Sequence, residues 1–302
     1  MNTSRPTNDK LFIFDVNPSN DDVTKELVIG NFSRVVKNLS DYQNVVFLSH
    51  SNLSLMKKLI EDIGIKNGFV ISDNGSRIYD IDKGTIVYEN FINKSDVLAG
   101  LHLGIMENCL VLLSGSNKEY AYSANIMSAL TLSKKHYAAL PWTNDYSQIE
   151  KFINSTMIHS LLFFQRTKEM IVESLKHIYP VYRDWNFNLH QGQSSYFTLT
   201  DNKSSKYSAL LKLIEHLKIK TFDNVYYYAI NTITERCLKS FKNKLIFQDI
   251  ALASKYYADI EDQAKVDDVI DNIKNIISDS FEVKLTTKQI LYDTKKIKKL
   301  HK

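Results

Sequence analysis

Apolar runs of strand length alternate with stretches of helical spacing along the first quarter of the chain. LFIFD (11–15), NVVFLS (44–49) and GFVIS (68–72) are continuous apolar runs, the form taken by strands buried on both faces. Between the first two, Val23, Leu27, Val28, Phe32, Val35, Val36 and Leu39 recur at helical spacing. SNLSLMKKLIEDIG (51–64) reads as a helix closed by Gly64. Strand, helix, strand, helix, strand predicts a parallel sheet with helical crossovers. The pattern changes after about residue 82. TIVYENF (85–91), CLVLLSG (109–115) and KEYAYSA (118–124) read as strands, the last two as a hairpin around Ser114–Asn117. SQIEKFINST (147–156) is helical, HSLLFFQ (159–165) a strand, KEMIVESLKHIY (168–179) a helix and SSYFTLTD (194–201) a strand. From about 203 the crossover pattern resumes, with helices at 206–219, 233–241 and 266–277 and strands at 224–230 and 244–249.

This predicts an α/β fold: a doubly wound parallel-sheet core, interrupted by an inserted α+β domain. The expected core is discontinuous, 1–82 and 191–302, with the insertion at 83–190. A chain of 302 residues is long enough for two such units. With 44% hydrophobic and 24% charged residues it matches a folded globular chain and excludes a long disordered one. A net charge of +4 is too mild to imply nucleic-acid binding by itself. Cys109 and Cys237 give neither a disulfide framework nor metal-ligand spacing and read as small buried hydrophobes. No apolar run approaches a membrane span, and MNTSRPTNDK has no apolar signal region, so the expectation is a reduced, cytoplasmic protein. Only nine glycines are present, few for an enzyme that would cradle phosphate in glycine-rich loops.

Ligands of a parallel α/β sheet bind at the carboxyl ends of its strands. The first strand ends in Asp15, the second in Ser49, the third in Asp73-Asn74-Gly75, and Lys206 starts the helix that returns to the core. A carboxylate, a hydroxyl, an amide and an ammonium meeting at one edge suit an anionic ligand such as phosphate. Each also has a plainer reading. Asp15 and Ser49 could cap turns or helices. Asn74-Gly75 could be a hairpin turn, and Lys206 a solvated charge. His50 could contact an anion or simply occupy a loop.

The order of these residues resembles the haloacid dehalogenase superfamily, and within it the Cof-type phosphatases with a large α/β cap, over roughly 11–280. The resemblance is carried by FDVNPS ending at Ser19, VVFLS ending at Ser49, ISDNGSRIYD (71–80) and SKYSALLKLIEHLKI with Lys206. It implies that Asp15 holds the position of the nucleophile, which forms an aspartyl-phosphate. Ser49, Asn74 and Lys206 then hold the phosphate. It also implies a Mg²⁺ cofactor with Asp15 as one ligand, and a cap that covers the site at the position of the insertion.

Four departures bear on that function. The second aspartate of the first motif, the general acid and base, is Asn17, which cannot donate and reaccept a proton as a carboxyl does; losing such a group costs about 10²–10⁴ in rate. Pro18 follows, with no N–H to donate. The usual Gly and Arg after the second motif are His50 and Ser51. In the fourth motif, aligned on NVYYY, the metal-binding acids are replaced along Ala229-Ile230-Asn231-Thr232-Ile233-Thr234. Glu235, one residue further on, is the candidate substitute metal ligand, or an acid in the first turn of a helix. Two readings follow. One is a degenerate phosphatase that keeps a cleft for a small phosphorylated ligand and uses no cofactor. The other is an active Mg²⁺-dependent phosphatase of small phosphorylated metabolites such as sugar phosphates. The basic tail, KKIKKLHK (295–302), is either a solvated terminus or an arm for an acidic partner or nucleic acid.

Overall fold

The computed structural model describes residues 10–18, 28, 30–116, 118–124, 141–165, 169–170, 173–174, 186–190, 196–230, 232, 234–247, 263–264 and 273. The chain forms two sheets. The first has eight strands in the order β14-β13-β12-β1-β2-β3-β4-β5. Its members are β1 (Leu11–Asp15), β2 (Asn44–Leu48), β3 (Phe69–Ser72), β4 (Arg77–Asp80), β5 (Thr85–Glu89), β12 (Val225–Ala229), β13 (Asn243–Phe247) and β14 (Gln263–Ala264). From β14 to β3 the pairing is parallel; β4 and β5 are added antiparallel.

The apolar runs are continuous because both faces of this sheet are covered. Phe12, Phe14, Val45, Phe47, Val70 and Tyr228 face α1 (Asn31–Tyr42) and α2 (Leu53–Ile63). Their alternates Leu11, Ile13, Val46, Leu48, Ile71 and Tyr227 face α5 (Lys206–His216), whose Ala209, Leu210 and Leu213 fill that side together with Cys237 and Phe241. Asn52 caps α2 by accepting from the Leu55 N–H at 2.7 Å, so the cap is Asn52 and not Ser49; Gly64 closes the helix in the left-handed conformation, φ 81°.

The second sheet has six strands in the order β10-β11-β9-β6-β7-β8. These are β6 (Leu110–Gly115), β7 (Glu119–Tyr122), β8 (Trp142–Thr143), β9 (Ile158–Phe164), β10 (Asn186–His190) and β11 (Tyr196–Thr200). The expected hairpin is present as β6–β7. One face packs on α3 (Lys94–Met106) and α4 (Tyr146–Ser155). The sequence reading passed over α3. Its Gly100 and Gly104 let the helix lie flat on the sheet: a Cβ on Gly104 would stand 2.3 Å from Val111 Cγ2. The opposite face, with Leu110, Leu112, Leu162 and Tyr196, is a smaller cluster.

The expected insertion bounds of 83 and 190 shift. β5 belongs to the first sheet and pairs with β4, while β11, which ends at Thr200, belongs to the second. The reason is that TIVYE extends the β3–β4 hairpin as a third antiparallel strand, whereas SSYFTLTD pairs with β9. Of the helix expected at 168–179 only Glu169, Met170, Glu173 and Ser174 are described, all helical, and of that at 266–277 only Ile273. Ser19 and the basic tail fall outside the described residues. No helix among the described residues is long and apolar enough to cross a membrane.

Candidate functional site

Strand register brings the predicted residues to one edge. Asp15 is level with Ala229 on one side and Leu48 on the other. The ladder runs one residue further: Val16 N–H donates to Leu48 O, Ser49 N–H to Ile71 O and Ile230 N–H to Asp15 O. Asp15, Ser49 and the start of the fourth-motif loop therefore emerge side by side. After β3 the chain turns sharply through Asp73–Gly75, with Asp73 and Asn74 both at positive φ, into the β3–β4 hairpin. Asn74 makes this turn. Gly75, at φ 93°, allows this turn to press on the start of α5. A Cβ there would lie 2.1 Å from Ser205 O and 2.7 Å from Lys206 N. Ser205 caps α5 in a capping box with Ser208 and delivers Lys206 to the strand ends.

Lys206 is only 3% exposed, which removes the solvated-charge reading. Its ammonium donates to Asp15 Oδ1 at 2.6 Å. Burial pulls Lys206 below the ordinary lysine range, against the opposing pull of Asp15. The other Asp15 oxygen, Oδ2, accepts from Tyr227 Oη and from Thr234 Oγ1, each at 2.6 Å. Tyr227 in turn accepts from the Thr234 N–H at 2.8 Å. Burial and the Asp15 charge raise the Tyr227 phenol well above its usual range, so it stays a donor. Asp15 is fully buried with both oxygens engaged by three protein donors.

Asn17 stands beside this group. Its Oδ1 accepts from Ser51 Oγ and, at 3.4 Å, from Ser49 Oγ. Its Nδ2 donates to Tyr196 Oη of the second sheet at 2.7 Å. Ser49 Oγ also accepts from the Ser51 N–H at 3.0 Å. His50 is buried, with Nδ1 3.0 Å from Asn74 Oδ1 and Nε2 3.0 Å from Thr232 Oγ1. Asn74 Nδ2 is buried with no hydrogen-bond partner among the described residues. The structure thus brings together Asp15, Asn17, Ser49, Asn74 and Lys206. Glu235 opens α6 (Glu235–Ser240); its side chain is outside what is described.

Three contributors escaped the sequence reading. Tyr227 looked like one of three equivalent tyrosines in a strand. Tyr196 lies on the inserted sheet. Thr234 was noted only as a lost acid. The alternation of β12 carried the one available signal: Tyr227 shares its face with α5 and Lys206, whereas Tyr228 faces the other way.

Mg²⁺ needs near-octahedral oxygen ligands, usually including carboxylates. Here Asp15 is paired with an ammonium, Asn17 and Thr234 are neutral, and no group of three or more His, Cys, Asp or Glu side chains is placed to hold a metal among the described residues. This donor set does not fit Mg²⁺.

Comparison with known proteins adds the family. A model of haloacid dehalogenase-like hydrolases matches residues 33–227, more than half of the chain. Among solved structures, a haloacid dehalogenase-like hydrolase from B. subtilis is similar over 88% of this chain and 99% of its own, with 17% identity and TM-score 0.72. A HAD/COF-like hydrolase from Plasmodium vivax is similar over 92% and 97%, with 12% identity and TM-score 0.66. The HAD subclass IIB sugar phosphatase BT4131 is similar over 88% and 98%, with 12% identity and TM-score 0.62. A search of curated proteins returns no match. The family model, the doubly wound sheet and the second sheet above its strand ends agree: the chain belongs to the haloacid dehalogenase-like hydrolases.

Proposed function

We propose that this chain is a catalytically impaired phosphatase that keeps a cleft for a small phosphorylated ligand. The observation that carries this reading is the state of Asp15. A nucleophilic carboxylate attacks with an oxygen lone pair; beside the Lys206 bond to Oδ1, Asp15 Oδ2 gives its lone pairs to Tyr227 and Thr234, so about one of four acceptor sites remains and the carboxylate is a weakened nucleophile. Asn17, at the acid–base position, spends its amide on Ser51, Ser49 and Tyr196. Phosphate oxygens would be met by Asn74 Nδ2, a buried donor in need of an acceptor, with Ser49 and Lys206 beside it. The likeness to a sugar phosphatase suggests a phosphorylated sugar as the first ligand to try. The basic tail adds a proposed contact with an acidic partner or nucleic acid, whose affinity would fall steeply with salt.

The second reading is an active Mg²⁺-dependent phosphatase working through an aspartyl-phosphate on Asp15. The retained Asp15–Lys206 pair at 2.6 Å favours it. Hydrolysis of an aryl phosphate, with and without Mg²⁺ and for Asp15→Asn, separates the two. The impaired reading expects no Mg²⁺-dependent turnover above background in either protein and no Mg²⁺ binding by calorimetry. Turnover lost with EDTA and with Asp15→Asn would establish the second reading and make Glu235 the next residue to change.

A further inference from the structure

A second buried polar network among the described residues lies at the seam between the sheets. Asp73 and Arg77, on the β3–β4 hairpin of the first sheet, form an ion pair with Arg77 Nε 2.7 Å from Asp73 Oδ2, and both residues are buried. Each member also reaches the second sheet. Asp73 Oδ1 accepts from Ser114 Oγ on β6 and from Ser160 Oγ on β9, the latter at 3.3 Å. Arg77 donates to Ser114 Oγ at 3.1 Å and to Ser116 O at 3.2 Å. The neighbouring Ser76 donates to His159 O at 3.2 Å, and His159 Nδ1 lies 2.8 Å from Asn90 O. Asp73 holds this position at φ 52°, a conformation disfavoured for a residue with a side chain.

We propose that the Asp73–Arg77 pair is a latch: it holds the second sheet down on the first by sharing one buried ion pair between them, and its grip depends on pH.

The geometry explains the first half. A buried charge pair tolerates no missing partner. The serines of β6 and β9 complete the donor set of Asp73, and Ser114 and Ser116 complete the acceptors of Arg77. Lifting the second sheet would strand both charges. The surrounding ionisable groups explain the second half. Glu119 of β7 stands directly across the ladder from Ser114, the serine that bonds both Asp73 and Arg77, and feels the charge of both, while Lys118 beside it reaches towards the Phe152 ring; His159 of β9 feels the same pair, with Glu89 of β5 3.9 Å away. Burial, and then the Asp73 charge, push the Glu119 carboxyl up to about 8, against the pull of Arg77. Burial pulls His159 down to about 4. Near pH 6 the pair carries opposite charges while Glu119 and His159 are neutral, so these four groups carry no net charge. Once the seam opens and exposes it, Glu119 returns towards its ordinary value of 4.5 and releases a proton. Opening is therefore favoured as pH rises towards 8, by about tenfold per unit. His159 works in the opposite sense, from its ordinary 6.5 down to about 4, so the alkaline effect is cleanest between 6.5 and 8.

Spin labels on Glu61→Cys of α2 and Lys151→Cys of α4, both at exposed positions, report the separation of the sheets; the native cysteines are buried. At pH 6 the otherwise unaltered chain should give one narrow distance. Ser114→Ala with Ser160→Ala removes only contacts across the seam and should add a second, longer distance; Arg77→Met should add more of it. In the double-alanine chain the longer population should grow between pH 6.5 and 8, and Glu119→Gln should abolish that growth. An unchanged single distance in the folded double-alanine chain would overturn the latch. Equal growth with and without Glu119 would overturn its pH dependence.

Discussion

At the scale of single residues, the site rests on a carboxylate both of whose oxygens already accept hydrogen bonds from the protein. Replacing Asp15 with Asn leaves the Lys206 ammonium buried without its counter-charge, and removing one partner of a buried pair costs about 3–5 kcal/mol. The urea midpoint of Asp15→Asn should drop accordingly, so loss of function in this variant must be read beside its stability. Thr234→Asp with Asn17→Asp tests the site the other way. It removes one donor from Asp15, restores carboxylates where two were lost and should create Mg²⁺ binding visible by calorimetry. Any turnover in the unaltered chain should rise by about 10²-fold in the double variant, the low end of what a recovered acid–base group supplies. The cysteines should be silent: burial holds Cys109 at about 12 and raises Cys237 further, so neither should react with a thiol reagent in the native chain at pH 7. These roles were partly legible. Asp15, Ser49, Asn74 and Lys206 could be read from their places at strand ends and a helix start. Tyr227 was marked only by the alternation of its strand, because which carboxylate a phenol reaches across neighbouring strands is not set by linear order.

At the scale of elements, strands buried on both faces were the easiest to read, since continuous apolar runs have few other uses. The helix α3 was hard to read because its buried stripe includes Gly100 and Gly104, which carry no hydrophobic signal although they make the closest approach to the sheet. Gly104→Ala should cost about 1–3 kcal/mol through overpacking against Val111 and Phe163, measured by chemical denaturation. Gly75→Ala should cost at least as much. It combines a disfavoured φ of 93° with a contact to the α5 backbone that no rotamer relieves, and it should also disturb the Asp15–Lys206 pair. The strand β5 was legible as a strand but not as a member of the first sheet, because pairing partners are chosen in space. Its apolar run fits either sheet, and only the β3–β4 hairpin before it decides.

At the scale of the molecule, two sheets meet at a seam lined with charge. Its groups act on global stability in opposite senses: Glu119, held above its ordinary value, costs stability as pH rises from 4.5 towards 8. His159 is held below its ordinary value, so the folded state binds fewer protons there than the unfolded chain, and stability falls as pH drops from 6.5 to about 4. Asp73 acts in the same direction: against burial, which raises it, Arg77, His159 and the Ser114 hydroxyl hold it below the usual carboxylate range. Thermal unfolding of His159→Gln should accordingly show a shallower acid limb than the unaltered chain. The seam also bears on how position is communicated. The second sheet returns to the first through one stretch of chain, from Tyr196 on Asn17 to Lys206 on Asp15. A tilt of that sheet pulls on both ends of the stretch at once. The stretch is a tether with a buried charge at its end, and the nitrogen resonance of Lys206 would serve as its strain gauge, sensing movement of a surface that Lys206 never touches.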